Sequence, residues 1–268
     1  MLRNEFIELA ISEVTGGIAQ LRTYRFSSNR LSQQLAWRFP REKTITTTTE
    51  TGPAERKTWY TDMRLRESRV LSAGPAFRAV ETVGELLDPS TGAALGTFRQ
   101  TYRIWRGQPR VEVSIELGLE RTPEGDPWTN YVAARFAWND PEQTLTRSLH
   151  EVAQPVKDEQ RLESPHYSER GSESARATLL LGGLSFHRLT GPRMLDTLLV
   201  TEGERQRTFR FAIAVDQSFP LEAALDWESP PLSIPAQHGP PPAGESGWLF
   251  QVDTRAVQIR RVLPLRSS

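Results

Sequence analysis

The 268-residue chain contains no cysteine. That excludes disulfides, thiolate metal sites and a cysteine nucleophile, and leaves the redox compartment open. Charge of either sign is not in excess, because 33 Lys and Arg balance 33 Asp and Glu. No global field therefore recruits nucleic acid or an anionic membrane surface. Long hydrophobic runs are missing too, and the start, "MLRNEFIELAISEVTGG", has no basic segment, continuous apolar core or small-residue cleavage site. The expectation is a soluble, cytoplasmic chain without membrane or nucleic-acid partners.

Histidines number four, and none of His150, His166, His187 and His238 lies within chelating distance of another along the chain. There is no HExxH, no nucleophile elbow of the form GxSxG, and no dinucleotide or P-loop fingerprint. A metal site would need distant loops to converge, and the glycine pairs in "TGG" and "LGG" read as turns. A glycosidase pair of carboxylates leaves no spacing signature, because its members sit on different strands.

What the chain does have is alternation. In "NEFIELAI", Ile7, Leu9 and Ile11 share one face; "EVTGGIAQLRTY" supplies a Gly-Gly turn and a return strand with Ile18 and Leu21 inward. "TFRQTYRIW", the turn "RGQP" and "RVEVSIELGLE" form the clearest hairpin, with Val111, Val113, Ile115 and Leu117 on one side, and belong near the centre of a large antiparallel sheet. The Thr-rich "KTITTTTETG" favours an extended, partly exposed strand or a polar loop. "SRVLSAGPAFRAVETVGELL", "NYVAARFAW", "ARATLLLGGLSFHRL" and "MLDTLLVTEGERQRTFRFAIAVD" continue the pattern, and "PLEAALDW" predicts a short helix with Leu221, Ala224 and Leu225 on one face. The fold class is all-β, with 19 prolines and 18 glycines marking its turns. Residues 1–229 are read as one β domain, 230–247 as a Pro/Gly-rich loop and 248–268 as a final strand or the start of a further small β module.

Mixtures of aromatic residues and arginine recur in "AWRFPREK" and "TYRIWRGQPR". Strand geometry favours buried aromatics backed by solvated arginines over a sugar-stacking platform. Trp128 and Tyr131 in "DPWTNYVAARFAW" are either anchors at a cleft rim or core residues. The stretch "GGLSFHRLTGPRMLDTLLV", residues 182 to 200, differs in placing its polar residues in a connection between two strands. His187, Arg188 and Arg193 are expected to cluster there, with Asp196 as a structural partner for the cations; a ligand site and a structural cluster explain it equally well.

Taken together, "LRNEFIELAISEVTGGIAQLRTY", "NRLSQQLAWRF", "DPWTNYVAARFAW", "GGLSFHRLTGPRMLDTLLV" and "TFRFAIAVD" resemble the carboxy-terminal β domain of glycoside hydrolase family 38, the α-mannosidases. The resemblance implies a large antiparallel β super-sandwich of the galactose-mutarotase-like kind. It further implies that the catalytic aspartate and the zinc ligands belong to amino-terminal domains that this sequence lacks. Accordingly no catalytic residue and no cofactor is assigned to this chain, and its expected partners are α-mannosides and those catalytic domains. Arg193 matches an arginine that reaches the family's sugar pocket, while His187 and Arg188 stand where relatives often carry two arginines; these three are the implied substrate-binding residues. Two alternatives stay open: a stand-alone carbohydrate-binding or interaction module, and an epimerase-like enzyme in which His150 or His166 faces a carboxylate within a pocket.

Overall fold

A computed structural model describes residues 1–25, 28–43, 55–140, 142–172 and 175–229, apart from the side chains of residues 42, 43 and 55–57. The Thr-rich segment, the Pro/Gly-rich loop and the final apolar run lie outside these residues. Met1–Pro230 forms one compact unit. Its strands in chain order are β1 (Leu2–Arg3), β2 (Ile7–Ile11), β3 (Ile18–Thr23), β4 (Leu31–Lys43), β5 (Glu55–Tyr60), β6 (Asp62–Ala73), β7 (Phe77–Leu87), β8 (Ala94–Trp105) and β9 (Arg110–Leu119). Then follow β10 (Tyr131–Trp138), β11 (Leu145–Leu149), β12 (Val152–Pro155), β13 (Arg161–Glu163), β14 (Tyr167–Ser172), β15 (Ala175–Leu180), β16 (Phe186–Gly191), β17 (Met194–Val200), β18 (Thr208–Val215) and the helix α1 (Pro220–Glu228).

All pairings are antiparallel and build two nine-stranded sheets. The first runs β1-β2-β3-β4-β10-β17-β16-β13, with β5 added beside β4; the second runs β12-β11-β14-β15-β18-β9-β8-β7-β6. The chain is thus all-β in two large antiparallel sheets. Period-two alternation turns one face of each sheet inward, so Leu35, Trp37, Val132, Ala134 and Phe136 of the first join Phe98, Val111, Val113, Ile115 and Phe211 of the second in one buried cluster. Phe136 meets Phe211 edge to face, with ring centroids 5.2 Å apart. The hairpin read from the sequence is present: Ile104 opposes Val111 and Tyr102 opposes Val113, inside the second sheet.

Ile18 and Leu21 are both buried although three residues apart, which a regular strand forbids. The register with β2 slips past Ala19, and that bulge restores the inward set. Between the sheets a short polar chain crosses the apolar interior: Gln33 Nε2 donates to Gln100 Oε1 at 3.0 Å, Gln100 Nε2 to Tyr102 Oη at 2.8 Å, and Tyr102 Oη to the Gly16 carbonyl at 2.8 Å. Each buried group thereby finds a partner. The predicted helix forms, but it packs through Ala224 with Leu221, Ala223 and Trp227 rather than Leu225, because its contact stripe on β14, β15 and β18 follows the i, i+3, i+6 positions. Among the described residues no helix is long and apolar enough to cross a membrane.

Candidate functional site: an arginine and tyrosine cluster on one sheet face

The connection expected to gather His187, Arg188 and Arg193 is shorter than it reads in the sequence. β16 continues to Gly191 and β17 begins at Met194, so only Pro192 and Arg193 make the turn. His187 and Arg188 lie in the strand itself, opposite Thr197 and Asp196, and adjacent strand residues face opposite sides. The expected cluster is therefore divided.

His187 points inward and is fully buried. Its Nε2 lies 3.3 Å from the Ser164 carbonyl and its Nδ1 3.0 Å from Thr197 Oγ1, so Nε2 donates and Nδ1 accepts from the hydroxyl. Burial pushes its pKa down to about 4, against the pull of the Ser164 carbonyl. It is a neutral core histidine and does not contact a ligand from this position. Arg193 is exposed at the hairpin tip, where Nη1 reaches the Asn139 carbonyl at 3.4 Å. Asp196 partners neither of these residues. Its Oδ1 accepts from Arg135 Nε at 2.8 Å and its Oδ2 from Tyr131 Oη at 2.8 Å, because β10 lies directly beside β17 with Arg135 in register with Asp196.

Asp196 anchors the feature that sequence reasoning missed. The outer face of the first sheet brings together Arg38 from β4, Tyr60 from β5, Tyr131 and Arg135 from β10, Asp196 from β17 and Arg188 from β16. The Arg135 guanidinium sits 3.7 Å from the centre of the Tyr60 ring and gives a second bond to Thr190 Oγ1 at 3.1 Å. Burial opposes its charge, but Asp196 holds it protonated; burial and the Asp196 charge raise the Tyr131 phenol, which stays a neutral donor. Burial also pushes the Asp196 carboxyl up, against the pull of Arg135 and Tyr131.

Arg38 is only 7% exposed, contrary to the solvated arginine that strand alternation suggests. Its outward direction is as expected; what covers it is the loop before β10 and the Tyr60 side chain. Nε donates to Tyr60 Oη at 3.1 Å, Nη2 to Thr58 Oγ1 at 3.1 Å, and Nη1 to the Trp128 and Thr129 carbonyls at 3.0 Å each. Arg188 Nη1 also donates to the Trp128 carbonyl. Trp128 is half-buried at this rim, with the Phe186 ring edge-on at 6.3 Å, while Tyr131 is buried beneath it.

Beside these residues opens a cavity of about 450 Å³, lined among others by Arg38, Thr58, Tyr60, Gln160, Arg188 and Thr190. That volume falls in the range of small-ligand sites. Among the described residues its lining offers guanidinium, hydroxyl and amide groups, which can bind and orient a ligand. Among the described residues, the histidine that meets a carboxylate is elsewhere: His166 Nδ1 lies 3.0 Å from Glu228 Oε2, joining the start of β14 to α1, and His150 is exposed in the β11–β12 turn. Zinc does not fit the donor set, since no group of three or more His, Asp or Glu converges among the described residues and the chain has no cysteine.

No protein-family model and no curated protein matches the chain. Solved structures do. An α-mannosidase from Enterococcus faecalis V583 matches with a TM-score of 0.63 at 10% identity, covering 85% of this chain and 31% of that one. A protein in glycosyl hydrolase family 38 from Enterococcus faecalis matches with a TM-score of 0.62 at 10% identity, covering 85% and 32%. A galactose mutarotase-like protein from Lactobacillus casei matches at 0.45 and 9% identity, covering 80% and 98%. The class defined here is thus an all-β double-sheet domain. It shares its fold with part of these family 38 proteins, and spans about a third of their length.

Proposed function

We propose that this chain is the β-sandwich domain of an α-mannosidase-like glycoside hydrolase, which binds carbohydrate and supports an active site whose bond-breaking groups and zinc belong to other domains. The fold likeness to the α-mannosidase carries this reading, and the chain's one-third share of that protein fits a supporting domain better than a complete enzyme. The cavity on the sheet face adds what a sugar site needs: convergent donors around a volume sized for a small ligand. Of the three residues implied by the resemblance, Arg188 lines that cavity, Arg193 presents an exposed guanidinium at the hairpin tip for a pocket built by a neighbouring domain, and His187 is excluded by burial. A planar fork of donors suits sugar hydroxyls or an acidic side chain across a domain boundary.

The test is hydrolysis of an aryl α-mannoside, with and without zinc, by this chain and by a version extended with neighbouring upstream coding sequence. Turnover only in the extended protein, reduced about tenfold or more by Arg193→Ala, is the expected result. Turnover by the chain alone would place catalytic groups within it and overturn the supporting role. Sugar binding by the chain, with no hydrolase encoded beside it, would favour the stand-alone binding module.

A further inference from the structure

We infer that the cavity beside Arg38 and Arg188 recognises an acidic saccharide unit, one whose ring carries a carboxylate or a phosphate; the word saccharide rests on the function proposed above, and the anion rests on the geometry alone. Three guanidiniums meet on this face without a carboxylate among the described residues to pair with them. Arg38, more than nine-tenths buried, spends its bonds on neutral acceptors: two carbonyls, a threonine hydroxyl and a tyrosine hydroxyl. Arg188 has one bond, to a carbonyl. Arg161 is the direct cross-strand neighbour of Arg188 and lies over the Trp128 ring at 5.6 Å.

Like charges set directly opposite each other in a sheet destabilise it, and a buried guanidinium cannot discard its proton to escape. The carboxylates on this face answer that charge only in part: Asp196 attracts Arg38 without bonding to it. Asp196 has both oxygens taken by Arg135 and Tyr131, and Glu163 sits opposite Phe186, at the far end of β13 from Gln160 and the cavity. An oxyanion entering the cavity meets the open donors of Arg188 with the buried charge of Arg38 behind them. Charge-assisted and bidentate bonds of that kind are about twice as strong as neutral ones. Gln160, and the hydroxyl hydrogens of Thr58 and Thr190 whose oxygens accept from Arg38 and Arg135, face the sugar hydroxyls.

Calorimetric titration of the full chain with methyl α-mannoside, mannuronate, mannose 6-phosphate and inorganic phosphate tests this. The acidic sugars are expected to bind about tenfold or more tightly than the neutral one. Arg188→Met removes that preference, read as the ratio of acidic-sugar to neutral-sugar affinity, and Arg188→Lys keeps part of it. Arg161→Met, farther from the lining, reads the same preference should the first variant fail to fold. The tighter of mannuronate and mannose 6-phosphate identifies the acid. Equal affinity for neutral and acidic sugars would sink the anion and leave the carbohydrate reading standing. Arg188-dependent binding of phosphate without any sugar would overturn the saccharide, and a preference that survives both variants, or no binding at all, would overturn the site.

Discussion

Replacing His187 with Gln should remove a defined part of the chain's sensitivity to acid. The imidazole is fully buried, and burial keeps it neutral against the pull of the Ser164 carbonyl, with a pKa near 4 in the fold against the usual 6.5. The sign follows from proton binding: below the unfolded value the unfolded chain takes up a proton that the folded chain refuses. Stability is therefore intact above about pH 6.5, falls as pH drops, and is fully lost from this source below about pH 4. At 1.36 kcal/mol per pKa unit the whole effect is about 3 kcal/mol, and about 2 kcal/mol of it has appeared by pH 5. Asp88 does not obscure that window. Despite burial, which pushes its carboxyl up, the Ser90 amide and hydroxyl with Arg41 hold it at about 2, so its contribution persists above the usual 3.8 and fades only as pH falls toward 2. Urea unfolding at about pH 7 and pH 5 reads the difference. Wild type should lose about 2 kcal/mol more than His187→Gln on acidification, roughly a thirtyfold change in the unfolding constant. Equal losses in the two proteins would refute the buried neutral histidine.

Asp196→Ala strands the Arg135 charge beneath Tyr60 and should cost about 3–5 kcal/mol in urea unfolding. Adding Arg135→Met should restore part of it, and a double-mutant cycle without coupling would refute the pair. Gly84→Ala drives a Cβ to 2.1 Å from the Arg64 carbonyl and 2.5 Å from Phe98 Cζ, so its melting temperature should fall by an amount equivalent to about 1–3 kcal/mol. Gly74→Ala, whose Cβ meets nothing nearer than Ser72 Oγ at 3.6 Å, should stay within about 0.5 kcal/mol of wild type. Similar losses in the two variants would refute the close approach at Gly84 as the source of the cost.

Much of the sheet structure was legible because strand alternation is a local property. Val111, Val113, Ile115 and Leu117 share a face whatever they pack against, and all four are buried. The same rule, applied through residues 186 to 191, would have separated His187 from Arg188; reading that stretch as a connection concealed it. Arg135 also left a signal. A single arginine in "YVAARFAW" interrupts a run that is otherwise buried nearly throughout, and a charge in such a strand requires a partner.

The partner's identity was not in the run. By itself the sequence determined an all-β chain, its β8–β9 hairpin and the absence of cysteine chemistry, since each follows from composition or from neighbours a few residues apart. Only the tertiary structure decided that Asp196 belongs to Arg135 and Tyr131, that Arg38 is buried, and that Arg188 borders a cavity. The reason is the strand order β4-β10-β17, which sets side by side strands that lie far apart along the chain. Their register comes from the packing of the inward faces, and the charged outer face is carried into place by it.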